Sequence, residues 1–201
     1  MLKLDLREIP VYYINLDSAV DSRKSMEEMM KNLGFENVTR VSAIKHPGGN
    51  KGGCSASHHL VMSLYKPPFI VLEDDCVVNE FIPEVEIPED SDAFYLGISS
   101  WGRKDGISGP HVHWEKVGKS NLLRVYNMLG THAILYLSYK YASACKDIAE
   151  AQHQKNDYID IGYSEVHSNY NIYTFNNPMF YQSSSQGTDK PLLSYPTTFR
   201  K

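Results

Sequence analysis

The sequence predicts an α/β protein built on a mostly parallel central sheet flanked by helices. Three observations predict it. Between Val11 and Leu72 the chain alternates strand-type and helix-type runs in the order strand, helix, strand, helix, strand. The third strand run, FIVL at 69–72, is apolar at every position, as a strand covered on both faces must be. A length of 201 residues, 42% hydrophobic and 22% charged, is that of one ordinary globular domain with a sizeable core.

The first strand is expected at 11–16, between Pro10 and Asp17. Asp21 or Ser22 is placed to cap the helix that follows. Met26, Met29, Met30 and Leu33 recur there at helical spacing, and Gly34 is a stop signal. Such a methionine stripe reads as core. The second strand is expected at 38–44, then a glycine-rich loop at 45–53 and a helix at 54–65 closed by Pro67 and Pro68. After the third strand, 80–92 reads as an acidic surface connection and 93–99 as a strand. The glycine-rich 100–120 reads as a long loop or hairpin. Strands are expected at 122–126, 133–138 and 172–175, helices at 139–152 and 158–168, and a polar loop from Ser183 onward. The whole, 1–201, reads as one domain. A longer protein containing it is left open.

Composition narrows the function. Twenty Lys and Arg against 24 Asp and Glu give a net charge of −4, which argues against a general nucleic-acid binder. Cys54, Cys76 and Cys145 are odd in number and widely spaced, so neither a zinc ribbon nor a redox dithiol is expected, and they read as small buried residues in a reducing compartment. No signal-peptide pattern and no membrane-length apolar run is present. The expectation is a soluble, cytoplasmic protein, with peripheral membrane association through partners left open. The 14 tyrosines could stack on sugars or bases, but half-buried core edges are the plainer reading.

The chemistry concentrates in FIVLEDDCVV. A buried strand delivers Glu73, Asp74 and Asp75 at its C-terminal end, where open α/β sheets bind ligands. Three adjacent carboxylates repel one another, and a divalent cation is the usual reason to gather them. Glu73 and Asp75 are two apart and point to one side of an extended backbone, Asp74 to the other. The loop HPGGNKGG could offer backbone amides to a phosphate, but it lacks P-loop spacing, and a flexible loop is the plainer reading. His111 and His113 have no third ligand nearby.

The chain resembles the family 25 glycosyltransferases, the group of lipopolysaccharide and collagen galactosyltransferases. The resemblance begins at YYINLDSAVDSRKSMEEMMKNLGF, with Asn15, Leu16, Asp17 and Arg23, and continues through RVSAI and GCSASH, with Gly53, Cys54, Ser57 and His58. It goes on through FIVLEDDCVV, AFYLG and LGTHAILYLSYKYA, and more loosely through YIDIGY and FNNPMFYQSSS, from about residue 10 to 186. It departs from the family in its short loop between His46 and Gly53 and in its closing Ser-Asp, which is at best Thr188 and Asp189.

The resemblance implies a GT-A-like sandwich, with a nucleotide-sugar half at about 10–100 and an acceptor half at about 101–190. It implies inverting, metal-dependent transfer of a sugar from a nucleoside diphosphate sugar, a UDP-sugar by preference, to a glycan or other hydroxyl acceptor. Asp75 and Glu73 would hold Mn²⁺ or Mg²⁺. Asn15, Asp17, Arg23, Ser57, His58 and Asp74 would lie about the donor, and Asp160 would be the general base, with Asp157 and Glu165 as competitors. Asp17 as a turn cap and Arg23 as a helix-surface charge are the plainer readings of those two. An aspartyl phosphatase needs Asp where Glu73 stands. A metal-dependent nucleotidyltransferase and an inactive sugar- or nucleotide-binding module remain the alternatives.

Overall fold

A computed structural model describes residues 1–184 and 190–195; Thr188 and Asp189 lie outside them. In chain order the elements are β1 (Leu2–Asp5), β2 (Val11–Asn15), α1 (Val20–Leu33), β3 (Val38–Ser42), α2 (Asn50–Leu64), β4 (Phe69–Glu73), β5 (Cys76–Val78), β6 (Glu84–Ile87) and β7 (Ala93–Tyr95). There follow β8 (Gly102–Lys104), β9 (Ile107–Gly109), β10 (His113–Lys116), β11 (Leu122–Asn127), β12 (Ala133–Tyr136), α3 (Tyr139–Lys155), α4 (Ile159–Val166), β13 (Ile172–Phe175) and β14 (Phe180–Gln182).

Eight strands form one sheet in the order β10-β11-β13-β7-β12-β4-β2-β3. The α/β class holds, but the sheet is mixed and not mostly parallel. β3, β2 and β4 are mutually parallel, and so are β13 and β7. β12 runs antiparallel to both its neighbours, and β11 antiparallel to β10 and β13. The helical crossovers through α1 and α2 enforce the parallel part, whereas the later strands arrive by connections that allow reversal.

Period-two alternation builds two cores. Phe69 and Val71 of β4 and Ile134 and Tyr136 of β12 face one side, where they pack with Val61, Ala142, Cys145 and Tyr163 of α2, α3 and α4. Ile70, Leu72, Ala133 and Leu135 face the other, with Met26 and Met30 of α1 and Val85 and Ile87 of β6. The methionine stripe is core, as its spacing predicts. Tyr13, Tyr95, Tyr136, Tyr141 and Tyr163 are among the largest fully buried side chains, so much of the tyrosine excess fills the interior.

The acidic segment 80–92 is more than a connection, because β6 within it pairs with β1. The 100–120 stretch contains the hairpin β8–β9 and then β10. α1 begins without a side-chain cap, so neither Asp21 nor Ser22 caps it, but Gly34 closes it in the left-handed conformation, at φ 80°. α2 starts at Asn50, a turn earlier than its sequence pattern indicates. No described helix is long and apolar enough to cross a membrane.

Candidate functional site

β2, β3 and β4 are parallel, so their last residues, Asn15, Ser42 and Glu73, share one edge of the sheet. Antiparallel β12 brings its N-terminal approach to that edge: the Glu73 amide donates to the His132 carbonyl at 2.8 Å. The chain then turns through Asp74 and Asp75 into β5, which β14 pairs in antiparallel fashion. Two cavities open along this edge. One, of about 540 Å³, is lined by Asn15, Lys45, His46, Ser57, His58 and the three acidic residues, among others. The second, of about 690 Å³, is lined by Lys51, Thr131, Asn156, Tyr158, Asp160 and Gln182, among others. Asn50, Cys54 and Glu73 line both, so the two adjoin at the end of β4.

Glu73 points to the α2 side. Its Oε1 accepts from Thr131 Oγ1 at 2.6 Å and meets Nε2 of the fully buried His58 at 3.1 Å. Burial pushes the Glu73 carboxyl up, but the hydrogen bond and charge of His58 and the Thr131 hydroxyl outweigh it and hold it below the ordinary carboxylate range. Asp74 points the other way, as alternation requires, and its Oδ2 accepts from Asn15 Nδ2 at 2.6 Å. Asp75 accepts from Gln182 Nε2 at 3.3 Å through Oδ2. Its Oδ1 is shielded from solvent and has no hydrogen-bond partner among the described residues. Burial, then the charges of Glu73 and Asp74, push the Asp75 carboxyl up to about 6.

These residues fit a hard divalent cation. An orphaned, shielded carboxylate oxygen whose own ionisation is disfavoured by neighbouring carboxylates is the donor such an ion satisfies. Asp75 Oδ1 is that oxygen. Glu73 would contribute Oε2, since both of its hydrogen bonds fall on Oε1.

Asp160 stands in the first turn of α4 and lines the second cavity. Burial raises its carboxyl to about 6, with Glu73 and Asp157 adding to the effect and the Ile161 amide opposing it. Its two competitors do not line that cavity. Asp157 Oδ1 accepts from the neighbouring Tyr158 amide at 2.8 Å. Glu165 is 59% exposed, with Arg103 Nη2 at 3.8 Å.

The other expected donor residues divide. Asn15 is buried, held by Arg40 Nε at 2.9 Å as well as bonded to Asp74. Ser57 is a structural pin: its hydroxyl donates to Gly53 O and accepts from the Ile44 amide. Asp17 lies outside both cavities, bonded to Arg40 and Ser42. Arg23 is on the outer surface of α1, paired with Glu27 at 2.8 Å, because Glu27 stands one helical turn away. Arg23 is thus a helix-surface charge, whereas Asp17 bonds two side chains of β3 instead of capping a turn.

The glycine loop is held and not loose. Asn156, in the left-handed conformation at the end of α3, donates from Nδ2 to Gly48 O at 2.8 Å and accepts the Gly52 amide at 3.0 Å. A Cβ on Gly52 would stand 2.7 Å from both Asn156 Oδ1 and His46 Nδ1, so any larger residue there would have to push both side chains aside.

Four contributors escape sequence reasoning. Thr131 reaches Glu73 only because β12 is antiparallel to β4. Gln182 reaches Asp75 only because β14 returns to β5. Arg40 and Asn156 act across 25 and 108 residues of separation. The Gly-Thr of LGTHAILYL was the one visible signal. Compared with models of known protein families and with curated proteins, the chain matches none.

Proposed function

We propose that the protein is a metal-dependent glycosyltransferase that moves a sugar from a nucleoside diphosphate sugar to a hydroxyl of a glycan or similar acceptor. One observation carries this reading: two adjoining cavities meet at a strand-end carboxylate cluster, and a second, separately buried carboxylate, Asp160, lines only one of them. A two-substrate displacement needs such a division, with donor and acceptor held apart and brought together at the reacting bond.

The cavity lined by Asn15, Lys45 and His46 would take the donor. Lys45, which lines this cavity, would supply positive charge for the diphosphate. Asp75, with Glu73, would hold Mn²⁺ or Mg²⁺, which supplies positive charge to the departing diphosphate as a Lewis acid. Asn15 anchors Asp74 and Arg40 anchors Asn15, so the turn after β4 is fixed before substrate arrives. Asp160, a carboxylate held near 6, is suited to take the acceptor hydroxyl's proton at neutral pH during an inverting, in-line attack. A UDP-sugar is the donor the family resemblance favours.

The test is a panel of nucleotide sugars assayed for release of free nucleotide, with and without Mn²⁺ and with simple glycan acceptors. Metal-dependent release from a UDP-sugar supports the reading. No release and no metal-dependent binding from any member overturns it in favour of an inactive binding module. Incorporation of nucleotide into product, with pyrophosphate released from a triphosphate, would mark a nucleotidyltransferase.

A further inference from the structure

Asn156 grips the loop that lines one cavity from a place on the wall of the other. Lys45, His46, Gly49, Asn50 and Gly53 line the cavity assigned above to the donor, and Asn156 does not. Asn156 lines the second cavity together with Asp160, and the two belong to the short junction between α3 and α4.

The Asn156 carboxamide is used at both ends. Nδ2 donates to the Gly48 carbonyl at 2.8 Å and Oδ1 accepts from the Gly52 amide at 3.0 Å. One turn back on α3, His153 Nδ1 stands 3.1 Å from the Gly52 carbonyl. The His153 ring also meets His46 edge-on, with centroids 4.9 Å apart. The loop's own bonds are short-range: the Gly49 amide donates to the His46 carbonyl at 3.0 Å and the Gly48 amide to His46 Nδ1 at 2.9 Å. Among the described residues, side-chain hydrogen bonds reaching the 45–52 backbone from beyond the loop and α2 come only from Asn156 and His153.

The backbone of Asn156 sharpens the point. The residue ends α3 in the left-handed conformation, at φ 51° and ψ 47°. Glycine is the usual residue at such a helix end and adopts it without steric cost. What asparagine adds there is a side chain, and that side chain spans the loop.

We infer that Asn156 is a positioning residue for the donor, holding the 45–53 loop in its binding arrangement from the acceptor side. Donor affinity is thereby tied to the same junction that carries Asp160. A loop that occupies its binding arrangement for only a fraction of the time binds more weakly by that fraction. The two Asn156 hydrogen bonds are lost whenever the loop departs, so they raise the fraction. This role rests on the transferase reading, which gives the loop's cavity to the donor.

The experiment uses the full chain and calorimetric titration of UDP, GDP and ADP, each with Mn²⁺ and with no acceptor present. Asn156→Gly keeps the left-handed helix end and removes only the carboxamide. It should weaken binding of whichever nucleotide the wild type takes by about 3–10-fold, the net worth of roughly one hydrogen bond. A residue serving the acceptor cavity alone would leave that affinity unmoved. Mn²⁺ affinity measured without nucleotide should not change, because the loop does not hold the ion. Tyr95→Phe, which destabilises the core without touching the loop, is the control and should bind nucleotide as the wild type does. Equal nucleotide affinity in the wild type and Asn156→Gly overturns the inference and leaves the transferase reading standing. So does an equal loss in Tyr95→Phe, or a loss of Mn²⁺ affinity in Asn156→Gly, either of which would mark general loosening of the fold. No nucleotide binding in the wild type removes the transferase reading and this role with it.

Discussion

Two polar clusters of the molecule are built on opposite principles. In one, Tyr95 bonds Tyr141 at 3.1 Å and His167 Nε2 at 2.9 Å, all three fully buried and none needing charge. Burial drives His167 down to about 3, so it stays neutral. In the other, at the sheet edge, Glu73, Asp74, Asp75 and Asp160 crowd together, and two of them are pushed up to about 6. The first cluster carries no charge and stores no repulsion, although His167 Nδ1 has no hydrogen-bond partner among the described residues. The second stores like-charge repulsion about a shielded carboxylate oxygen, which is what a site for a cation looks like in physical terms.

Mutating the two clusters should therefore separate function from stability. The largest effect is expected from Asp75→Asn: loss of Mn²⁺-dependent nucleotide-sugar binding and a fall in transfer of more than about 100-fold. The same change should raise the stability of the metal-free protein at pH 7 by about 1–2 kcal/mol, because it removes an ionisation the fold opposes. Glu73→Gln should weaken metal-dependent binding by less. Calorimetry across Mn²⁺ concentrations and thermal denaturation read these effects together. Unchanged metal dependence in Asp75→Asn would reduce the acidic cluster to a solvated turn.

Asp160→Asn comes next. It should leave donor affinity nearly intact and lower transfer by about 10²–10⁴-fold. Wild-type transfer should fall as pH drops below about 6, where Asp160 takes up its proton. If Asp157→Asn or Glu165→Gln abolishes transfer while Asp160→Asn does not, the base is one of them and the cavity geometry has misdirected the assignment.

The hydroxyl cluster should behave in the reverse manner. Tyr95→Phe strands two buried groups and should cost about 1–3 kcal/mol of stability in chemical denaturation. Donor affinity should not move; if it does, the two clusters are coupled through the sheet and the contrast fails.

The smallest expected effect is one of sign with pH. For Asp75 and Asp160 the folded pKa lies above the unfolded value, so the fold holds extra protons between about 4 and about 6. Their contribution to stability is lost as pH rises through that window. For His167 the folded pKa lies below the ordinary 6.5, so the unfolded chain holds the extra proton and stability is lost as pH falls from about 6.5 toward 3. Asp75→Asn should therefore steepen the acid-side loss of the metal-free protein. His167→Asn should flatten it, by at most about 1.4 kcal/mol per pH unit. Equal slopes in the two variants would contradict the opposed signs.

What the sequence alone determined was local. The alternation from Val11 to Leu72 dictated three parallel strands, because a helix between two strands must carry the chain back before the next begins. The apolar run of β4 dictated burial on both faces, and its two-residue period dictated that Asp74 would part from Glu73, toward Asn15. Tertiary structure decided whatever depends on strands meeting out of order. β12 inserts antiparallel between β4 and β7, and that insertion alone puts Thr131 on Glu73. The return of β14 puts Gln182 on Asp75. The same packing brings Cys54, a residue read from sequence as mere filling, to Glu73. No local pattern carries such pairings, because their energy comes from burying one strand against another far along the chain, and that depends on the whole sheet.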